Sequence, residues 1–399
     1  MPRAARLAAL LLALAPVAST AAQAPTPRTW QGTVGARRVV LETWRDGADA
    51  PRLRGRWFDR AIGVDHALDG RWQGDTLRLD ETDAFVTEDD LPAPPERPVT
   101  LVARWRLVRT GDGLAGVRAP VRGARDTVRL ATVARASAAR RDPADSAFLG
   151  DTWLPWRGHE AYEALRAEAP LADGAVTRRG PVAWRTRSDP RSGAAVPRLV
   201  AHPDPARMAR ANAALDALLR HVIASSYACA ADLASRGFEG ARTTARPDTT
   251  NRFTYAVVHA DARLLTLGIT GSVFCGGAHP SNVTTHRMLD LATGRRVTGG
   301  DLVRPGRRGA LERLVRTRLD RRTASAGGTE DDCPLFVAGD DGAPTASEQL
   351  GYAIVDGRFT VVQDGHPHAL SVCDGRYGTL PRALLRDIVH PWVLGSLSR

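Results

Sequence analysis

Between about Thr29 and Val133 the chain runs in short stretches of alternating polarity, cut by glycine at the spacing of turns. A half-buried strand imposes that rhythm, because successive side chains leave it on opposite faces. Residues 39–44, 53–58, 77–80, 99–105 and 127–130 each fit it, and Gly32, Gly35, Gly47, Gly55, Gly63, Gly70 and Gly74 supply the punctuation. The expected outcome is an up-and-down antiparallel sheet or small open barrel, with Trp and Leu turned inward and arginine outward. Trp30, Trp57 and Trp72, each close to a glycine, admit two readings: a sugar-stacking platform or the filling of a small β core. The core is the favoured one.

Residues 134–150 are rich in Ala, Arg and Asp, have no clear period and read as a linker. Beyond them the pattern is mixed. A helix is expected over about 205–236, with Asp204 and Pro205 as cap and first turn. Its apolar stripe is Met208, Ala211, Leu215, Leu218, Leu219, Val222, Ile223 and Tyr227, with His221 on the border. A hairpin follows at 253–258 and 264–274, then a strand at 284–291 and a turn at Gly294. A second amphipathic helix, basic on its outer face, is expected at 309–322, a hairpin at 352–362 and a short helix at 381–389. An N-terminal antiparallel β domain (29–133) is expected, then a second, disulfide-braced domain (151–399) that mixes helices with antiparallel strands.

The N-terminus gives the compartment. Arg3 and Arg6 precede an apolar stretch at 7–17 and the small residues Ala18-Ser19-Thr20-Ala21-Ala22, the order of a secretory signal peptide ending at residue 22. The apolar stretch, about 11 residues, is well short of the roughly 20 that span a bilayer. No integral membrane segment is expected after signal removal, and the location expected is periplasmic or secreted. Cysteine usage agrees. Cys229, Cys275, Cys333 and Cys373 lack the close Cys-x-x-Cys spacing of a zinc site, so disulfides are expected. Three pairings are open; Cys229–Cys275 and Cys333–Cys373 are favoured because each closes a loop of about 40–47 residues, worth ~4 kcal/mol by chain entropy.

All 55 basic residues are arginine. With no lysine, a Walker-A phosphate loop, Schiff-base chemistry, a Ser-x-x-Lys acyl transferase and a protein kinase are excluded. The net charge of +11 has two readings, compositional bias or an anionic partner such as a cell-wall polymer, a membrane surface or an acidic protein. No nucleic-acid partner is expected, since the usual reading motifs are missing.

The run Phe274-Cys275-Gly276-Gly277-Ala278-His279-Pro280, with Leu289-Asp290-Leu291-Ala292-Thr293-Gly294 and Asp301-Leu302-Val303, resembles a bacterial extracytoplasmic domain of unknown function. That domain also occurs in lysozyme-sensing anti-sigma factors and beside the catalytic domain of some peptidoglycan deacetylases. Pro197 and Asn212 are similar to its upstream half, and 352–359 with 381–385 to its tail, so the likeness covers about residues 155–395. It implies an α+β fold for the second domain, helices packed on an antiparallel sheet, and, in the anti-sigma factors, a protein-binding surface for lysozyme. This chain carries neither a transmembrane helix and sigma-binding segment nor a deacetylase module, so the lysozyme partner does not carry over.

Among candidate site residues His279 stands first. As a general base it would need an orienting carboxylate and a nucleophile, and no Gly-x-Ser-x-Gly elbow exists. Gly276, Gly277, His279 and Pro280 are therefore read as a binding loop. His366 and His368 would share a strand face and bind a metal with His286 or Asp374, but Pro367 between them argues for a loop, and no metal or cofactor is expected. A paired-carboxylate glycosidase stays open because its two acids can come from anywhere in the sequence, while Asp331-Asp332 and Asp340-Asp341 read as exposed loops. The function expected is a soluble, non-catalytic envelope binding module whose partner is a cell-wall polymer or an exogenous protein. The alternative is an envelope hydrolase acting on peptidoglycan or polysaccharide with His279 in its site.

Overall fold

The computed structural model describes residues 27–45, 52–83, 99–133, 160–168, 170–235, 251–275, 280–319, 333–339, 342–366 and 368–398. The signal stretch 1–22, the linker 134–150, and the pairs Asp331-Asp332 and Asp340-Asp341 lie outside them.

Eight strands form the first part: β1 (Arg28–Val34), β2 (Arg37–Arg45), β3 (Leu53–Asp59), β4 (His66–Gln73), β5 (Thr76–Thr82), β6 (Leu101–Thr110), β7 (Gly113–Pro120) and β8 (Asp126–Thr132). Each pairs antiparallel with the next, and β1 pairs with β8 from Trp30↔Thr132 to Val34↔Val128, so the barrel is closed and not open. Closure removes both free edges. The tight coiling it demands falls on inward glycines: a Cβ at Gly70 would meet the Arg78 carbonyl oxygen at 1.9 Å. Trp30, Leu41, Trp57, Leu79, Trp105 and Leu107 fill the interior, as the alternation required. Arg78, Arg104, Arg106 and Arg129 face outward and are exposed. A packed apolar interior and a charged exterior are the reverse of a membrane-spanning barrel, whose outer band is apolar.

At one mouth a buried network ties β5, β6, β7 and β8 together. Arg118 donates from Nε and Nη2 to the two oxygens of Glu81 at 2.8 and 2.9 Å and from Nη1 to Asp126 at 3.1 Å, while Trp105 Nε1 donates to Glu81 at 2.9 Å. His66 stacks on Trp57 with 4.7 Å between ring centroids, and burial holds its pKa below the ordinary value.

The remainder overturns the α+β expectation. Among the described residues strand accounts for 51% and helix for 23%, the helices being α1 (Glu160–Ala167), α2 (Pro205–Ser235), α3 (Arg308–Leu319) and α4 (Pro391–Ser396) with short 3-10 turns. The chain is mainly β. Its second part is not helices on one sheet but several small antiparallel sheets. These are β9 (Ala172–Arg179), β10 (Val182–Ser188) and β11 (Ala195–Ala201); β12 (Asn251–Ala260), β13 (Leu264–Val273), β14 (Ser281–Asp290) and β15 (Arg295–Val297); β16 (Phe336–Ala338) with β17 (Pro344–Ala346); and β18 (Leu350–Val355), β19 (Arg358–Gln363) and β20 (Gly375–Leu380). The strong helical period of α2 is one element, and it does not set the class. Asp204 caps it as expected, accepting from the Ala206 and Arg207 amides at 2.9 and 3.1 Å. Its Leu215, Leu218 and Ile223 share a core with Leu265, Leu267 and Leu289. The helix expected at 381–389 is instead a 3-10 turn at Arg382–Leu385, with α4 starting later, where Pro391 presets the first turn.

The disulfides are Cys229–Cys275 and Cys333–Cys373, the pairing that loop length favoured. Two disulfides fit an oxidising compartment. No helix among the described residues is long and apolar enough to cross a membrane.

The barrel is docked on the second part through buried charge. Tyr162 and Leu165 of α1 pack on Val40 and Phe58 of the barrel wall. Beneath them Asp65 accepts from Tyr162 Oη and Arg166 Nη2, both at 2.6 Å, and from Arg56 at 3.4 Å. Arg56 also bonds Glu42, and Glu163 sits 3.1 Å from both guanidinium groups, as an ion pair without hydrogen-bond alignment to Arg166 Nε. Burial alone would raise the Asp65 pKa; the Arg166 and Arg56 charges outweigh it and hold the carboxyl below its usual range. Arg166 lies over Phe58, Tyr162 and Tyr227 at 4.8, 5.2 and 5.0 Å. Gly63, at φ +84°, is where α2 comes closest: a Cβ there would fall 2.4 Å from the Tyr227 ring.

Candidate functional site

The outer wall of the barrel carries two rows of side chains that run across the strands. In the first, Trp44 stands directly opposite Arg54, then Asp69, Asp80, Arg104 and Ala119. Its charges are largely matched: Arg52 pairs with Asp69, and Arg104 lies 3.7 Å from Asp80. In the second row Arg71 is opposite Arg78, Arg78 opposite Arg106, and Arg106 opposite Val117. Those three arginines are exposed, and none makes an ion pair with a carboxylate among the described residues.

Three like charges side by side across adjacent strands work against the sheet, since directly opposed like charges are destabilising. The fold holds them there by other means. Glu81 and Arg118 lock β5 to β7 from inside, and Leu77, Leu79, Trp105 and Leu107 anchor the inner faces of β5 and β6. Burial opposes the Arg118 charge, and its bonds to Glu81 overcome that and raise its pKa.

The two rows line a trough of about 1100 Å³ on the barrel wall. Seven arginines border it (Arg52, Arg54, Arg71, Arg78, Arg104, Arg106 and Arg125) against Asp69 and Asp80, with Trp44, Val99, Val117 and Ala119 as apolar margins. Trp44 lies outside the interior cluster that holds Trp30, Trp57 and Trp105. Chemically the trough offers planar forks of N–H donors with fixed positive charge, suited to oxyanions.

The residues singled out in the sequence lie elsewhere. Gly276, Gly277 and His279 fall outside the described residues, and Pro280 is exposed at the start of β14. Cys229 and Cys275 flank that region as one disulfide. His366 Nδ1 is 2.7 Å from Asp374 Oδ1, and the Asp374 carboxylate also accepts the His366 amide at 3.1 Å. His286 instead meets Arg376, 3.4 Å away, and burial keeps its pKa low. The side chain of His368 lies outside the described residues. Among the described residues no group of three metal-ligating side chains comes together.

The trough is the site that residue-by-residue reading did not single out. Its outward arginines are visible as Arg71, Arg78, Arg104 and Arg106 in alternating strands, but their mutual opposition depends on register across 35 residues of chain. No protein-family model matches this chain, and no curated protein matches it at a significant level.

Proposed function

We propose that this chain is an exported, non-catalytic binding module of the cell envelope, periplasmic or secreted, whose barrel holds an anionic cell-wall polymer in the arginine-lined trough. The observation that carries this reading is the row Arg71, Arg78 and Arg106, opposed across three strands and without a carboxylate partner among the described residues. A composition-driven excess of arginine scatters charge over the surface; here three guanidinium groups are opposed at the cost of sheet stability, beside a row whose charges are matched. An elongated polyanion supplies the missing countercharge along the trough and releases its own counterions on binding. The resemblance of residues 155–395 to an extracytoplasmic domain fits the same placement and gives the second part a scaffolding or protein-contacting role.

The test is cosedimentation of the protein with cell-wall sacculi, either intact or chemically stripped of anionic polymer. Retention on intact sacculi alone, lost in the R71A/R78A/R106A variant, supports the reading. Equal retention on both preparations, or release of soluble wall fragments by the protein, overturns it.

A further inference from the structure

The three opposed arginines set a condition on the ligand's chemistry that positive charge alone does not. Arg78 is flanked on both sides, by Arg71 on β4 and Arg106 on β6, each one strand away, ~4.8 Å. A group seated over Arg78 therefore meets three guanidinium forks at once. A carboxylate has two coplanar oxygens, which one fork occupies, and its single charge leaves the flanking arginines opposed. A phosphate monoester presents three equivalent oxygens and a charge of about −1.5 to −2 near neutral pH. It has one oxygen for each guanidinium and enough charge to relieve both like-charge contacts.

We infer that the Arg71–Arg78–Arg106 row is a phosphoryl subsite, and that the polymer bound in the trough is a glycan bearing phosphate monoesters. This rests on the polyanion reading of the same trough. The sugar backbone has a place beside the subsite, where the exposed Val117 continues the arginine row. A phosphate monoester also occurs on lipid headgroups, but a concave trough receives a chain better than a flat bilayer.

The experiment is competition at fixed ionic strength against a fluorescent phosphorylated glycan, using glycerol phosphate, dimethyl phosphate and succinate as probes and phosphatidic acid vesicles as a further arm. Glycerol phosphate is expected to compete at about tenfold lower concentration than dimethyl phosphate or succinate, the worth of one further charge-assisted hydrogen bond. Its advantage fades as pH falls through about 6, where the phosphate takes up a proton and the three guanidinium groups keep their charge. R78K, which keeps the charge and loses the fork, is expected to abolish the preference. Competition ranked by charge alone, or an R78K variant that discriminates like the wild type, overturns the phosphoryl subsite while leaving the polyanion reading intact. Vesicles that outcompete the glycan overturn the glycan assignment. Failure of the fluorescent glycan and of every other anionic polymer to bind brings down both readings.

Discussion

Two sets of arginines do opposite work in this molecule. At the junction between barrel and second part, Arg166 of α1 is buried and Arg56 of β3 is largely covered, the two bonded to Asp65, Glu42 and a backbone carbonyl and packed on aromatic rings. On the barrel wall Arg71, Arg78 and Arg106 are exposed and opposed to one another. The same residue type is fully compensated in one place and uncompensated in the other. Compensation, and not abundance, separates a structural arginine from a binding one in a chain with 55 of them.

The largest expected effect lies at the junction. Arg166→Leu leaves Asp65 buried without its main partner and should cost ~3–5 kcal/mol, read as a lowered denaturant midpoint. Replacing both partners, R166L/D65L, should cost clearly less than the single change, because no stranded charge remains. The two variants together show whether the junction is held by pairing or by packing.

Acid sharpens the contrast. The folded Asp65 pKa lies below its unfolded value, so its contribution is fully present above the ordinary carboxylate range, near ~3.9, and is lost as pH falls through that range and below it. Stability of the wild type should therefore decline more steeply with acid than that of D65N, measured as unfolding midpoints between pH 6 and pH 2.5. Guanidinium charge does not titrate in this window, so the acid response reports on the junction carboxylate and not on the arginine row.

In the trough, Arg78→Ala should weaken polymer binding by about tenfold, with little change in fold. The logarithm of affinity should fall linearly with the logarithm of salt, and each arginine removed should flatten the slope by about 0.7. The smallest effect has the most telling sign. Arg78→Thr removes two opposed pairs and places a β-branched residue on a strand, so it should stabilise the barrel by ~0.2–1 kcal/mol in thermal unfolding. A residue whose loss improves the fold and harms binding is kept for binding.

The eight-stranded part was legible because alternation places Leu77, Leu79, Trp105 and Leu107 on one face whatever the partner strands are. Closure was not, since the pairing of β1 with β8 joins residues about a hundred apart and leaves no local mark. The α2 helix and its Asp204 cap were read from local signals. The short 3-10 turn at Arg382–Leu385 carries the same apolar spacing as a helix and was taken for one. The α+β expectation came with the resemblance, while the ten-residue strands β12, β13 and β14, together with β9, β10 and β11, set the balance as β. The candidate site was half visible: outward arginines follow from the alternation, but their opposition follows from register.

The direct test of the account removes equal charge from two places. Affinity for an anionic wall polymer is compared between R71A/R78A/R106A and a control, R129A/R220A/R313A, that takes three exposed arginines from elsewhere on the surface. The account expects the first to lose at least about tenfold and the control to stay within about twofold. Equal losses in both would mean that net charge alone attracts the polymer and that the row has no special part in holding it.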